Sequence, residues 1–404
     1  MDPVPVWAQV ISNTAKLLAE GQPVKIVCFG DSVTGVYYHT GGRRAWCDLL
    51  GVALQRLYPL AQLEMINAGI SGHTTLDALR RLETDVLRHA PQLVVVMFGL
   101  NDVARVSAEA YRSNLRQLVV RLGDHGAETI LMTPNHVFPE DPSRPPAKLG
   151  DYVEIVRQTG RELDVPVADA FRAYQSVQTA DRWEWIRLMS DPIHPNLRGH
   201  RLLAETAAHT ITGHRVKLAE LPRLQPGLPR VVARWQAGAP VRITAMIPFD
   251  ALIGPALQTL CPGVQVVVTA WDPTGQSIPE LAEQAKGNGW PKYQQQPGLD
   301  APDLMVIAVP AAARAANDEE FYRSYAWILN WSQSFNPPRW DCLAILPSVS
   351  QPELDQPQRA AALLAHQVIL DKDLPVIVRT PGDNTSLARL LTRQLRSLLE
   401  SAVP

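Results

Sequence analysis

Apolar residues run along the first half of this chain in short unbroken blocks rather than in alternation. Residues 24–29, 63–67, 93–98, 129–133 and 165–169 are dominated by Val, Ile, Leu and Met, the pattern of strands covered on both faces in a parallel sheet. Between them, apolar positions recur at helical spacing over 46–57, 75–89, 108–123 and 152–162. A last helix starts near Asn196 and runs through Leu203 toward Ile211. Strand and helix alternate, which predicts a flavodoxin-like, three-layer α/β/α sandwich with a parallel sheet.

The rhythm breaks at residues 221–229, where three prolines and a glycine mark a linker. It then restarts. Gly21-Gln-Pro-Val-Lys-Ile26 is echoed by Gly238-Ala-Pro-Val-Arg-Ile243, Pro91-Gln-Leu-Val-Val-Val96 by Pro302-Asp-Leu-Met-Val-Ile307, and Asp164-Val-Pro-Val167 by Asp373-Leu-Pro-Val376. With further strand patterns at 264–269 and 343–346, five strands fall in matching order. The expectation is two domains, 1–220 and 230–404, the second a degenerate copy of the first. A chain of 404 residues also exceeds one ordinary core. Any two α/β domains share some of this patterning, so the repeat is an expectation about fold alone.

Composition narrows the classes. With 46% hydrophobic and 19% charged residues and a formal net charge of −2, the chain reads as globular, without the basic stripe that nucleic acid or an anionic membrane would select. Cys28, Cys47, Cys261 and Cys342 lack paired spacing, the histidines are scattered, and Gly-rich phosphate loops are absent, so neither metal nor nucleotide cofactor is expected. Residues 1–5 are acidic and proline-rich, residues 7–20 read as an amphipathic helix, and no apolar run approaches the roughly 20 residues of a membrane span. A cytoplasmic location is the expectation.

Five short segments carry chemistry-type residues. They are Phe29-Gly30-Asp31-Ser32, Asn67-Ala68-Gly69-Ile70-Ser71-Gly72, Phe98-Gly99-Leu100-Asn101-Asp102, Thr133-Pro134-Asn135-His136 and Asp191-Pro192-Ile193-His194-Pro195-Asn196. Each follows a strand pattern or precedes a helix, where α/β proteins gather their sites. Singly, each has a plain structural use: Ser32 and Asn196 as helix caps, Gly72 and Asn101 as turn residues. Together, and in this order, they resemble the GDSL or SGNH hydrolase family over residues 24–212.

That resemblance implies a serine esterase without cofactor. Ser32 is the expected nucleophile and His194 its base, because a serine hydroxyl near neutral pH needs a proton acceptor within reach. Asp191 is expected to fix the imidazole tautomer. His39, His73, His89, His125, His136, His200, His209 and His214 compete for the base role, but only His194 has an Asp three residues earlier just before the last helix. The resemblance further implies that the amides of Ser32 and Gly72 and the side chain of Asn101 stabilise the developing oxyanion, with Gly69 a rival to Gly72. Asp31 and Asp102 are expected to be structural.

The segment Val36-Tyr-Tyr-His-Thr-Gly-Gly-Arg-Arg44 follows the nucleophile, so Tyr37, Tyr38 or His39 is a candidate to stack on a sugar ring and Arg43 or Arg44 to meet a carboxylate. The proline-rich residues 138–146 are a candidate further wall. An O-acetylated carbohydrate is the preferred substrate class. A lysophospholipase- or thioesterase-type lipid substrate is the alternative, and a vestigial hydrolase acting as a binding scaffold is the non-enzymatic one. In the second half Phe249 stands opposite Ser32 and Ala312 opposite Asn101, and its single histidine, His366, is helical. That half is expected to serve packing, homo-oligomer contacts or substrate access.

Overall fold

A computed structural model describes residues 12–219, 221, 227–335 and 338–402. The chain divides into two compact units, Met1–Tyr37 with Arg43–Leu221, and Tyr38–Gly42 with Pro222–Pro404.

The first unit contains β1 (Pro23–Gly30), β2 (Gln62–Gly69), β3 (Leu93–Met97), β4 (Glu128–Met132) and β5 (Val167–Ala168). They form one sheet in the order β2-β1-β3-β4-β5, every pairing parallel. The uninterrupted apolar blocks are explained by coverage: all five residues of β3 are buried, with Trp46–Leu57 packed against Leu197–Thr212, and Thr75–Asp85, Ala108–Asp124 and Pro146–Glu162 packed in succession. From β1 the chain steps to β2 and then returns past β1 to β3, so its direction of winding reverses at the end of β1, the place where such sheets leave a crevice. Register puts the ends together, with Gly30 level with Gly69 on one side and Met97 on the other.

Two features hold the strand ends there. A Cβ on Gly35 would lie 2.0 Å from the Gly69 carbonyl oxygen, so only paired glycines let the two turns meet. Arg81, reaching back from Thr75–Asp85, donates to Gly30 O at 2.9 Å and Ala68 O at 2.7 Å, pairs with Asp85 at 3.0 Å, and lies 4.4 Å from the centre of the Phe29 ring.

The second unit contains β6 (Val241–Met246), β7 (Val266–Trp271), β8 (Leu304–Ile307), β9 (Asp341–Ile345) and β10 (Val376–Ile377). Their order is β7-β6-β8-β9-β10, again all parallel, which is the topology of the first sheet. The likeness reaches single bonds. Gln92 accepts from Lys25 N through its side chain (2.7 Å) and from Glu128 N through its carbonyl (2.9 Å), and Asp303 does the same for Arg242 N (3.0 Å) and Asp341 N (3.0 Å). Leu131 N donates to Pro166 O and Ala344 N to Pro375 O, both at 3.0 Å. Gly21 and Gly238 share a left-handed backbone, φ 68° and 63°.

Several boundaries differ from the sequence reading. The helix read over 75–89 breaks into Thr75–Asp85 and a tighter turn at Leu87–His89, and Ala170–Ala180 and Arg182–Ile186 are additional helices. The linker read over 221–229 ends earlier: Leu228 is buried with its amide on Leu398 O, and Pro229 opens the helix Pro229–Gln236. A proline at a helix's first position sacrifices no bond, which is why it reads equally as a breaker. Residues 222–226, the acidic, proline-rich residues 1–5, and 7–11 of the N-terminal helical pattern lie outside the described residues. Among the described residues no helix is long and apolar enough to cross a membrane, and all four cysteines are buried and unbridged.

Candidate active site

The turn after β1 runs straight into a short helix, Ser32–Gly35, which Asp31 caps by accepting from Val33 N at 3.0 Å. Ser32 is therefore the first residue of that helix and not its cap, which leaves its hydroxyl without a capping duty. Its Oγ lies 3.0 Å from His194 Nε2. His194 Nδ1 lies 2.8 Å from Asp191 Oδ2. Since a carboxylate only accepts, Nδ1 carries the proton and Nε2 is left with its lone pair facing the hydroxyl. Asp191 holds the turn as well, its Oδ1 accepting from the amides of Ile193 (2.9 Å) and His194 (2.8 Å).

The Asp191–His194 turn is anchored from two sides. Asn196 caps the helix Leu197–Thr212 by accepting from Arg198 N and Gly199 N, and its side-chain amide donates to Arg187 O at 2.9 Å. Asn135, in the turn after β4, donates to Ile193 O at 3.0 Å, and Phe138 N donates to Pro192 O at 2.8 Å. The Asn135-His136 segment had no evident chemical use in the sequence; its use is mechanical. His136 itself is buried against Phe171 and Trp185, and burial lowers its pKa.

Gly72 and Asn101 follow β2 and β3, the neighbours of β1. Gly72 adopts φ 78°, a conformation costly for other residues, and its carbonyl accepts from Arg105. Its amide makes no hydrogen bond among the described residues, whereas the amide of its rival Gly69 is spent on Asn67 Oδ1 at 3.0 Å. Asn101 is buried, donates from Nδ2 to His73 O at 3.1 Å, and accepts at Oδ1 from Arg144 at 3.1 Å. The two turns are tied together by Asp102, whose Oδ1 accepts from Thr75 N (2.9 Å) and Thr75 Oγ1 (2.6 Å).

Electrostatics sorts the remaining titratable groups. Burial pushes the Asp31 carboxyl up to about 6, opposed by its bond from Val33 and by the nearby His194 charge. Burial also takes His200 down to about 3, with the His194 charge adding to it; this imidazole stays neutral, accepting from Trp46 N at 3.0 Å. The ligand-type atoms of Asp191 and His194 are already engaged with each other, the turn amides and Ser32.

The loop after Ser32 differs from expectation. Tyr37 accepts from Asn67 Nδ2 at 3.0 Å. Tyr38 belongs to the second unit, only 5% exposed, with its hydroxyl on Asn330 O, Trp290 Nε1 donating to it at 2.9 Å, and its ring against Phe335. His39 and Arg44 are buried too, and Arg43 is half-buried. Tyr38 is a packing residue, and its buried ring does not present a face for a sugar. Sequence reasoning missed it because its two aromatic partners, Trp290 and Phe335, lie some 250 to 300 positions away. It also missed Arg144 and Arg81.

Comparison with known proteins sets the first half of the chain beside hydrolases. The model of the GDSL-like lipase/acylhydrolase family matches residues 28–202. An acetylxylan esterase of Geobacillus stearothermophilus is 30% identical over 210 residues, 46% of this chain and 92% of that protein. The thioesterase 1/protease 1/lysophospholipase L1 of Escherichia coli K12 is 28% identical over 189 residues, 45% of this chain and 81% of that one. Among solved structures, a lipase/acylhydrolase of Enterococcus faecalis is 29% identical, with a TM-score of 0.42, covering 48% of this chain and 97% of that one.

Proposed function

The chain belongs to the GDSL-like lipase/acylhydrolase family and is a carboxylic ester hydrolase, and from that premise we propose that Ser32, His194 and Asp191 carry the reaction. The observation that carries the assignment is the run Ser32 Oγ to His194 Nε2 (3.0 Å) and His194 Nδ1 to Asp191 Oδ2 (2.8 Å). His194 takes the Ser32 proton as Oγ adds to the ester carbonyl, then returns it to the departing alcohol. Water repeats the sequence on the acyl-enzyme. The Ser32 and Gly72 amides and Asn101 Nδ2 receive the negative charge that forms on the carbonyl oxygen; each such donor is worth roughly 2.7–4 kcal/mol.

The substrate class we propose is an O-acetylated carbohydrate, supported by the likeness to the acetylxylan esterase. The test is hydrolysis of nitrophenyl esters of graded acyl length and release of acetate from acetylated xylo-oligosaccharides. Fast acetate release, lost in Ser32→Ala, is the expected result. Preference for long acyl chains or thioesters would reassign the substrate, and equal slow rates with and without Ser32 would remove the mechanism.

The second unit we take to be a tandem copy that kept its scaffold and not its chemistry. The shared strand order and the matched bonds of Gln92 and Asp303 support this. Where the first unit has Ser32, the second has Phe249, buried at 1% exposure.

A further inference from the structure

An amide side chain presents two chemically opposite ends, and Asn101 has a partner that defines each. His73 O can only accept, so the end facing it is Nδ2. A guanidinium can only donate, so the end facing Arg144 is Oδ1. The side chain is therefore locked in one orientation, with one Nδ2 hydrogen spent on His73 and the other unspent among the described residues.

Arg144 is itself held rigidly. Its Nε donates to Leu100 O at 2.8 Å, and its Nη1 meets Asp141 Oδ2 at 2.5 Å and Ser143 Oγ at 3.0 Å. The side chain is 17% exposed. Asp141 in turn accepts from Ser143 N and Oγ, so the proline-rich segment after β4 is a built support for one guanidinium. A fixed cation on the amide oxygen polarises the group and strengthens its N–H as a donor. The same charge is close enough to Asp31 to favour its ionised form.

We propose that Arg144 is a positioning residue for the reaction: it orients and polarises the Asn101 amide so that the unspent Nδ2 hydrogen meets the carbonyl oxygen as charge develops there. This rests on the assignment of Ser32 and Asn101 given above.

Four variants of the full chain test it: Arg144→Met, Arg144→Lys, Asn101→Ala and the Arg144→Met/Asn101→Ala double variant, with kcat and KM on nitrophenyl acetate and melting temperature for each. Losing an oxyanion donor outright costs on the order of 10²–10³ in kcat, so misplacing it is expected to cost about 10- to 100-fold. Arg144→Met should lower kcat by that factor with KM nearly unchanged, and Arg144→Lys should recover part of it. In the Asn101→Ala background, Arg144→Met should have no further effect on kcat. Wild-type kcat in Arg144→Met, or an equal loss in both backgrounds, would overturn the proposal. Asp141→Asn frees the guanidinium without deleting it, so an intermediate kcat is expected there, and an unchanged kcat counts against. Failure of the underlying reading looks different: Ser32→Ala or Asn101→Ala would then be fully active.

Discussion

Asp191 grips His194 at two points, through the ring at Nδ1 and through the backbone amide, both at 2.8 Å. One carboxylate thus sets the tautomer and the shape of the turn. Asp191→Asn separates the two tasks. Its oxygen can still accept from the amides of Ile193 and His194, but its NH₂ would face Nδ1 and force the proton to Nε2. A loss of about 10⁴ in kcat with little change in melting temperature is expected. Asp191→Ala should cost stability as well, and calorimetry beside ester assays distinguishes the two.

Asp31 gives a pH signature. Its folded pKa, about 6, lies above the ordinary 3.8, so the folded state binds a proton that the unfolded chain has already released. Stability from this group is fully present below about pH 4 and falls as pH rises to about 6, by on the order of 3 kcal/mol. Asp31→Asn keeps an oxygen for Val33 N and removes the titration. Urea midpoints between pH 4 and 8 should show the variant gaining on the wild type across that window; parallel curves would refute it.

Asn135 bonds to the Asp191–His194 turn at Ile193 O, and its expected effect on the proposed reaction runs through that turn. Asn135→Ala leaves Ile193 O without its donor and should lower kcat about tenfold with KM nearly constant, at roughly 1–3 kcal/mol in stability. An Asn135→Ala variant with wild-type kcat would show that the turn stands on Asn196, the Phe138 amide and its own amides without Asn135.

Arg81 closes two buried carbonyls at the ends of β1 and β2. Arg81→Met takes a donor from each, Gly30 O keeping only Ile70 N at 3.1 Å, so a loss of about 1–3 kcal/mol is expected by urea unfolding. Arg81→Lys retains the charge but not the fork and should recover less than half of it. Full stability in Arg81→Lys would mean the charge over Phe29 matters more than the two carbonyls.

The legible parts of this molecule were those encoded locally. Runs such as Leu93–Met97 announce a covered strand because every position is apolar, and Asp191 and His194 announce each other across three residues. β5 is shorter than its pattern, two residues instead of five: Pro166 has no amide to give, and Asp169 turns out to cap the next helix. Ala170–Ala180 and Arg182–Ile186 were missed: Asp181 caps the second of them and so reads as a break. Arg144 and Asn135 were illegible as parts of the candidate site because their bonds span 43 and 58 positions. Nothing in their neighbours' spacing points to the partner. Tyr38 misled for the converse reason: an aromatic just after Ser32 looks available until its distant packing is known.

Asp164 and Asp373 each carry φ 54°, an unusual state for a residue with a side chain, just before the final strand of their own sheets. That contortion has no bearing on bond cleavage, and both halves keep it although Phe249 stands opposite Ser32. On the proposed reading of a tandem copy, a half relieved of catalysis would still have been obliged to fold, and a joint shared in this way is the mark such an ancestry would leave.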